Sequence, residues 1–159
     1  MILWRIATET RTYRADDLSG GGAARHPGRW NEPGQAVLYT APSIAMAVLE
    51  TAAHIDDAGL PLNRYLVRIE LPPRVWQARK VLDAATLPPT WNAIPAGATS
   101  AQLGSAWLRA GETAILLVPS VIVPEELTAL VNPAHPDAGR IKATVARPFE
   151  YNRLFRSAR

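Results

Sequence analysis

The chain is predicted to be an α+β protein with a largely antiparallel sheet, and three observations support this. Strand-like and helix-like segments alternate irregularly, without the strand–helix–strand rhythm of a doubly wound parallel sheet. Residues 65 to 71 alternate between apolar and polar side chains, as a half-buried strand does. Residues 114 to 118 form a continuous apolar run, which is typical of a central strand.

The first half of the chain is predicted to contain two strands, a long loop and one helix. Residues 3 to 6 form a short opening strand. A glycine-rich loop follows over residues 16 to 34, and it lacks the Gly-Lys-Ser/Thr ending of a Walker phosphate loop. Residues 36 to 40 form a buried strand, and Ser43 is a suitable N-cap for a helix that reaches residue 57.

The second half is predicted to contain four strands and another helix. Pro72 and Pro73 end the strand over residues 65 to 71, because proline cannot donate to a sheet. Thr99 and Gln102 have the spacing of a capping box, so a helix is predicted from there to about Gly111. The other segments are a loop over residues 81 to 95 and strands over residues 114 to 118, 127 to 131 and 141 to 146.

Length and composition predict one compact domain that covers residues 1 to 159. A chain of 159 residues, 48% of them hydrophobic, can bury a substantial core and does not have the composition of a disordered protein. It contains no cysteine, which excludes disulfides, thiol nucleophiles and cysteine-bound zinc. The N-terminus lacks the pattern of a signal peptide, and no apolar run approaches the roughly 20 residues that span a bilayer. We therefore expect a soluble cytoplasmic protein.

The positive charge of the chain is dispersed. The formal net charge is +3 at pH 7 and the sequence pI is about 9.7, values that are compatible with nucleic-acid binding. Lys80 and Lys142 are the only lysines, and the arginines are scattered without a dense basic block. A small anionic ligand or an acidic protein partner suits this distribution better, and an arginine-based nucleic-acid-binding module remains the remote alternative.

Three polar residues are the strongest candidates for a functional site. Arg29 lies in the glycine-rich loop, Tyr39 comes ten residues later in a strand, and Glu50 comes eleven residues after that in a helix. A guanidinium binds pyrophosphate, an aromatic face stacks on a heterocycle, and a carboxylate stabilises positive charge that develops on a sugar carbon. The three together predict a site for an anionic, sugar-linked substrate. Each of them alone would also fit an ordinary core or surface position.

Other polar residues give weaker signals. Ser120 follows an apolar strand, but the Gly-x-Ser-x-Gly frame of a hydrolase nucleophile is missing around it. His26, His54 and His135 are too widely separated in sequence to predict a metal site. Helical spacing places His54 on the same face as Glu50, where it would either tune the carboxylate or be an ordinary surface histidine.

Six short motifs occur along almost the whole chain. They are Leu3-Trp4-Arg5-Ile6, Gly28-Arg29-Trp30-Asn31, Val37-Leu38-Tyr39-Thr40, Leu49-Glu50, Leu117-Val118-Pro119-Ser120 and Asn132-Pro133-x-His135-Pro136. In order and spacing these motifs resemble the RES domain, the toxin component of RES–Xre toxin–antitoxin pairs. The family takes its name from an arginine, a glutamate and a serine. Arg29, Glu50 and Ser120 match these best, Tyr39 joins them, and Arg5 is the rival arginine.

The resemblance implies a compact fold like that of ADP-ribosyltransferases, with NAD⁺ as the substrate and no cofactor. It implies cleavage of the bond between nicotinamide and ribose, which depletes NAD⁺ and arrests growth. Family members differ in the acceptor, which is water, inorganic phosphate or a side chain of a host protein. The implied partner is a cognate Xre-type antitoxin that blocks the active site. DNA would be contacted only through that antitoxin, and no membrane is involved.

The resemblance also implies roles for single residues. Glu50 would hold the ribose hydroxyls and stabilise the developing positive charge, and Arg29 would bind the pyrophosphate. Tyr39 would stack on nicotinamide, and Ser120 would hydrogen-bond to ribose or nicotinamide. Ser120 follows Glu50 in sequence, whereas related transferases keep the order arginine, serine, glutamate. Further substrate-binding candidates are Arg5, Trp30, Asn31 and Asn132, and no metal is expected.

A protein ADP-ribosyltransferase that modifies one host protein is the main alternative to an NAD⁺ glycohydrolase or phosphorylase. All three enzymes would use the same catalytic residues. The acceptor is selected by the shape of the surface around the pocket, which the sequence does not reveal.

Overall fold

The computed structural model describes residues 1–56 and 59–154, which fold into seven strands and four α-helices. The strands are β1 (Ile2–Thr8), β2 (Leu38–Thr40), β3 (Arg64–Glu70), β4 (Lys80–Val81), β5 (Ile115–Pro119), β6 (Leu127–Val131) and β7 (Lys142–Phe149). The helices are α1 (Gly21–Arg25), α2 (Ile44–Ala52), α3 (Pro73–Gln77) and α4 (Ala98–Ala110). Short 3₁₀ turns lie at Ala84–Thr86, Pro89–Asn92, Pro136–Arg140 and Tyr151–Arg153.

The strands form two sheets. Sheet A has the order β1-β3-β7 and is antiparallel throughout. Sheet B has the order β2-β6-β5-β4, in which β2, β6 and β5 are antiparallel and the two-residue β4 runs parallel to β5. The prediction of an α+β fold with mostly antiparallel sheets is therefore confirmed.

Within the described residues, one pair outside the regular ladders joins the two sheets. Trp4 in β1 and Ala41, just after β2, form an antiparallel bridge in which each N–H donates to the other carbonyl at 2.8 Å. Side chains of both sheets fill the space between them. Its fully buried members include Leu3, Leu38, Val67, Ile69, Ile115 and Ala129.

Strand β5 is buried along its whole length, which explains its continuous apolar sequence. Ile115 and Leu117 point into the core between the sheets. Leu116 and Val118 alternate to the other face of sheet B. There they join a second cluster whose largest members are Trp30, Trp91 and Trp107.

Helix α2 covers the face of sheet A that points away from sheet B. Its Met46 and Ala47 are buried against Ile6 of β1 and Leu66 of β3. The C-terminal end of the described chain closes this cluster, because the Tyr151 hydroxyl hydrogen-bonds to Thr51 Oγ1 of α2 at 2.7 Å. The helix is thereby held both by apolar packing and by a polar contact.

Two helices were not predicted: α1 lies in a segment that the sequence predicts to be loop, and α3 lies in a segment to which the sequence analysis assigns no structure. Helix α1 lies inside the glycine-rich loop, and its five residues, two of them glycine, are too few to give a periodic signal. Helix α3 begins with Pro73 directly after the strand. Pro72-Pro73 is predicted as a stop signal only, but proline also favours the first turn of a helix, where its missing N–H costs nothing. The predicted loop over residues 81 to 95 starts with the last residue of β4 and contains two 3₁₀ turns.

The predicted capping box at the start of α4 is wrong. The helix begins at Ala98 after Gly97, and no side chain caps it. The Thr99 hydroxyl instead lies 2.8 Å from the Thr90 hydroxyl of the preceding 3₁₀ turn. The predicted end is confirmed, since Gly111 adopts the left-handed conformation (φ 60°) that closes many helices.

Helix α2 is shorter than predicted. It begins after Ser43 as expected, and Ser43 Oγ accepts a hydrogen bond from Met46 N at 3.1 Å. It ends at Ala52, and the predicted last residue, 57, lies outside the described residues. His54 is in the turn after the helix, so the prediction that it shares a helical face with Glu50 is wrong. None of the helices within residues 1–56 and 59–154 is long and apolar enough to cross a membrane.

Replacement of Gly104 by alanine should destabilise the fold strongly. A Cβ atom on Gly104 in α4 would lie 1.8 Å from the carbonyl oxygen of Trp30, so the helix would have to move away from the loop. We expect the free energy of unfolding to fall by about 3 kcal/mol or more, the upper end for overpacking, in urea denaturation. Gly22→Ala in α1 is the matched control, because no atom lies within 4 Å of its added Cβ. An equal response of the two variants would contradict the packing.

Candidate active site

Glu50 and Ser120 meet where α2 passes the end of β5. Their positions are 70 residues apart in sequence, and the Ser120 hydroxyl donates a hydrogen bond to Glu50 Oε1 at 2.6 Å. Ser120 Oγ also accepts hydrogen bonds from the N–H groups of Ile122 and Val123, both at 3.1 Å. Because these two donors occupy the lone pairs of the oxygen, the one hydroxyl proton is directed at the carboxylate. Ser120, only 2% exposed, therefore orients Glu50.

Arg29 lies close enough to Glu50 for the carboxylate charge to act on it, and it also lies near Tyr39. Burial lowers the pKa of the Arg29 guanidinium, and the neighbouring Glu50 and Tyr39 oppose this shift. One terminal nitrogen, Nη1, donates to the carbonyl oxygens of Trp91 at 3.1 Å and Ala93 at 2.8 Å. These backbone acceptors come from a segment predicted only as loop, and backbone carbonyls leave no signal in a sequence.

Tyr39 is held by the loop that carries Arg29. Its hydroxyl accepts a hydrogen bond from Trp30 N at 2.9 Å and donates one to Asn31 Oδ1 at 2.8 Å. Its ring lies against Gly28, where an added Cβ would come within 2.6 Å of Tyr39 Cζ. Burial raises the pKa of the Tyr39 phenol well above its ordinary value, while the Trp30 N–H and Arg29 oppose this. The phenol therefore stays protonated at physiological pH.

Two predicted substrate-binding residues, Trp30 and Asn31, are buried and support the loop that carries Arg29. Trp30 is buried, and its ring stacks on Trp91 with 6.1 Å between the ring centroids. Asn31 is 1% exposed, and its side-chain amide is bonded within the loop. Their burial leaves the side chains no surface for a ligand. We therefore correct their assignment from substrate contacts to structural supports of Arg29 and Tyr39.

Arg5 has little internal compensation for the burial of its charge. It lies in β1 between Leu3 and Ala7, whose side chains face the core between the sheets, and next to the Trp4–Ala41 bridge. Burial lowers the pKa of the Arg5 guanidinium, and only the charge of Asp17 opposes this. Among the described residues, none makes a hydrogen bond or an ion pair with the Arg5 side chain, while the Arg5 backbone lies in the ladder with β3. A desolvated guanidinium without a partner is well suited to bind an anion.

Asn132 does not lie with the other candidates. Its N–H donates to Ala114 O, immediately before β5, whereas Ser120 follows the other end of that strand. The six residue-to-residue steps from Ala114 to Ser120 along β5 span about 20 Å. The Asn132 side chain closes a turn, since Oδ1 accepts from Ala134 N at 3.0 Å and Nδ2 donates to Leu108 O at 3.3 Å. Its predicted role in substrate binding is therefore corrected to a structural one.

The described part of the chain contains no group of three or more His, Asp or Glu residues that could hold a metal ion. The contacts described above bring together one oriented carboxylate, the partly desolvated Arg29 guanidinium and a protonated phenol, and Arg5 is a second partly desolvated guanidinium on β1. These groups are suited to binding an anion and to stabilising a positive charge beside it.

Comparison with known proteins identifies the family. The family model of the RES domain matches residues 2–152. The chain belongs to the RES domain family. It is 55% identical to the "Prs ADP-ribosylating toxin" of a Sphingobium species, over 98% of this chain and 97% of that protein. It is 39% identical to the "Toxin Res" of Pseudomonas putida, over 98% of this chain and 100% of that protein.

Another relative and a solved structure also resemble this chain. The RES protein described here is 38% identical to the "Toxin Res" of Yersinia enterocolitica, over 85% of this chain and 86% of that protein. Its fold resembles a chain in the crystal structure of the M. tuberculosis MbcT–MbcA toxin–antitoxin complex, with a TM-score of 0.61 and 19% identity. That similarity covers 92% of this chain and 84% of the other, and it shows a shared fold.

The stability of this RES domain should fall at alkaline pH because of Tyr39. Its pKa is raised above the ordinary value of 10.0, so above pH 10 the unfolded chain releases a proton that the folded protein retains. The contribution is fully present below pH 10 and is lost as pH rises further, by up to about 1.4 kcal/mol per pH unit. Urea denaturation between pH 9 and 11.5 should show a shallower decline in Tyr39→Phe, with Tyr65→Phe as the control. An unchanged decline in Tyr39→Phe would contradict this.

Proposed function

We propose that this RES protein is the toxin of a toxin–antitoxin pair and cleaves NAD⁺ at the nicotinamide–ribose bond. The observation that carries the proposal is the Glu50 carboxylate held by Ser120 at 2.6 Å, with the Arg29 guanidinium near enough to feel its charge. The names of the relatives, which include "Toxin Res" and "Prs ADP-ribosylating toxin", support the same activity. Loss of NAD⁺ would then arrest growth.

The reaction requires one oriented carboxylate. Nicotinamide in NAD⁺ is already a cationic leaving group, so no acid is needed to protonate it. As the glycosidic bond breaks, positive charge builds on the ribose anomeric carbon, as in glycoside hydrolysis. Ser120 holds one oxygen of Glu50, and the other can face the ribose hydroxyls and the developing charge. Because Ser120 is committed to Glu50, it acts through the carboxylate and not as the direct substrate ligand that the sequence predicts.

Two arginines would bind the pyrophosphate. Arg29 uses Nη1 for the carbonyls of Trp91 and Ala93, which leaves its Nη2 and Nε for phosphate oxygens. Arg5 has its whole guanidinium available, and an anion would compensate its burial. Arg5 and Arg29 therefore complement each other as the anion-binding pair, where the sequence presents them as rivals.

Tyr39 would contribute the face of its ring. Its hydroxyl is bonded to Trp30 N and Asn31 Oδ1, and its raised pKa keeps it from serving as a base. The exposed part of the ring can stack on nicotinamide or align it for departure. This assignment agrees with the role predicted from the sequence.

The acceptor in the main proposal is water or inorganic phosphate. A protein ADP-ribosyltransferase is the second candidate, and the relative at 55% identity that is named "Prs ADP-ribosylating toxin" favours it. Both candidates need the same bond cleavage at the same carboxylate. They differ in which nucleophile reaches the anomeric carbon.

The proposed protein partner is a cognate Xre-type antitoxin that closes the active site in the cytoplasm. The fold similarity to a chain of a toxin–antitoxin complex supports an antitoxin partner. The net charge of +3 also suits an acidic protein segment. Any contact with DNA would be made by the antitoxin.

Replacement of Glu50 by glutamine should abolish the reaction while leaving the fold intact. Wild type and Glu50→Gln would be incubated with NAD⁺, with and without phosphate, and the products resolved by chromatography. We expect nicotinamide release to fall about 100-fold or more, since the substitution removes the charge that stabilises the transition state. ADP-ribose or its phosphorylated form would identify the acceptor.

The control for this experiment is Glu112→Gln, which removes an exposed carboxylate 4.0 Å from Lys80 Nζ. Near-normal turnover in Glu50→Gln would remove Glu50 from the mechanism. If wild type releases nicotinamide only when cell protein is added, and mass spectrometry finds ADP-ribose on that protein, the second candidate is correct.

Replacement of Arg5 by lysine should weaken NAD⁺ binding. Lysine keeps the charge but loses the planar fork that bonds two phosphate oxygens at once. We expect KM for NAD⁺ to rise about tenfold with a smaller change in kcat, since one charge-assisted hydrogen bond contributes roughly 1.5–3 kcal/mol. Arg68→Lys on β3, whose partner is the exposed Glu70, is the matched control. An unchanged KM in Arg5→Lys would place the pyrophosphate elsewhere.

A further inference from the structure

We propose that Asn31 is a positioning residue of the active site, and that the Tyr39 hydroxyl anchors the Arg29 loop and does not contact the substrate. In this arrangement Asn31 acts through Tyr39 and Arg29. The inference rests on the proposed NAD⁺ cleavage. It assigns the last residue of the Gly28-Arg29-Trp30-Asn31 motif a task that its type alone does not suggest.

The Asn31 side chain uses its whole hydrogen-bonding capacity inside the protein. Oδ1 accepts from Gly28 N at 2.9 Å and from the Tyr39 hydroxyl at 2.8 Å. Nδ2 donates to Ala23 O at 2.9 Å and Gln35 O at 3.1 Å, and Glu32 O lies 3.3 Å away. An amide offers two acceptor sites and two donors, so nothing is left for a ligand.

The Tyr39 hydroxyl is similarly committed. It accepts from Trp30 N and gives its only proton to Asn31 Oδ1. The ring next to it is pressed against Gly28, where an added Cβ would force the Tyr39 side chain to move. A hydroxyl in this position can hold the loop, but it has no proton to offer a substrate.

Arg29 lies between the two residues that Tyr39 holds. Gly28 contacts the ring and Trp30 donates to the hydroxyl, so the backbone is fixed on both sides of Arg29. The far end of the side chain is fixed by the carbonyls of Trp91 and Ala93. Loss of the Asn31 acceptor would free the Tyr39 phenol to move, and the Arg29 guanidinium would then no longer be held in place.

The effect of such a release on catalysis is large. A displacement of about 1 Å at a group that positions a substrate can cost about 100-fold in rate. A residue that only stabilises the fold would instead lower the unfolding midpoint without changing kcat or KM of the folded protein. This difference separates a positioning role from a structural one.

The test compares wild type, Asn31→Ala, Tyr39→Phe and the double variant in steady-state NAD⁺ cleavage, well below their unfolding midpoints. We expect kcat/KM to fall about 100-fold in Asn31→Ala and at least tenfold in Tyr39→Phe, with the double variant no lower than Asn31→Ala. The matched control is Thr113→Val, which removes two hydrogen bonds at the opposite end of β5 and should keep wild-type kcat and KM.

A further variant separates the two halves of the Asn31 side chain. Asn31→Asp keeps an oxygen that accepts from Gly28 N and the Tyr39 hydroxyl, but it loses the amide donors. It should be less stable than wild type yet have a kcat/KM at least tenfold above that of Asn31→Ala. If Asn31→Ala does not fold, Tyr39→Phe becomes the reference for this comparison.

Several results would overturn the inference. Losses that multiply in the double variant would mean that Asn31 and the Tyr39 hydroxyl act independently. Wild-type kcat/KM in folded Asn31→Ala, or an Asn31→Asp as inactive as its reference, would remove the positioning role. If wild type itself cleaves no NAD⁺, the proposed function fails. The unfolding midpoints of the same four proteins then test whether Asn31 anchors the Tyr39 hydroxyl. Midpoint shifts of the two single variants that add up in the double variant would overturn that anchor.

Discussion

The two hydrogen bonds between Trp4 and Ala41 are the contact on which the geometry of the site depends. They join sheet A to sheet B outside the regular ladders. Arg5 directly follows Trp4, Tyr39 precedes Ala41 by two residues, and α2 begins three residues after Ala41. Because Arg5, Tyr39 and α2 all lie within three residues of this bridge, residues that belong to different sheets keep fixed relative positions. Trp4 and Ala41 both pack in the apolar cluster under α2, with Ile6, Met46 and Leu66, and this burial holds the bridge in place.

The site is arranged so that most polar groups bind other protein groups. The Ser120 hydroxyl, the Tyr39 hydroxyl and one nitrogen of Arg29 all have internal partners. The groups left over are the second oxygen of Glu50, the rest of Arg29 and the guanidinium of Arg5. Such an arrangement needs little reorganisation when charge develops, which is the main source of electrostatic catalysis. In the proposed function, the two guanidinium groups bind the pyrophosphate and the carboxylate faces the cationic centre.

Much of the fold could be predicted from the sequence, but the contacts within the site could not. Alternation in β3 and the apolar run of β5 reflect burial on one face and on both faces, and both strands lie within a residue or two of their predicted bounds. Helix α3 was not predicted, because a proline that ends a strand can equally begin a helix. The hydrogen bond between Ser120 and Glu50 joins residues that are 70 positions apart, and no local sequence pattern encodes such a contact. The same holds for Asn31, whose burial follows only from the folded loop.

The close contact between Gly28 and the Tyr39 ring has a genetic consequence. Every missense change of a glycine codon introduces at least a Cβ atom, and at position 28 that atom would lie 2.6 Å from Tyr39 Cζ. A gene whose product harms its own cell is under selection for inactivation whenever the antidote runs short. A missense change at position 28 would meet this selection by displacing Tyr39, the side chain that holds the Arg29 loop.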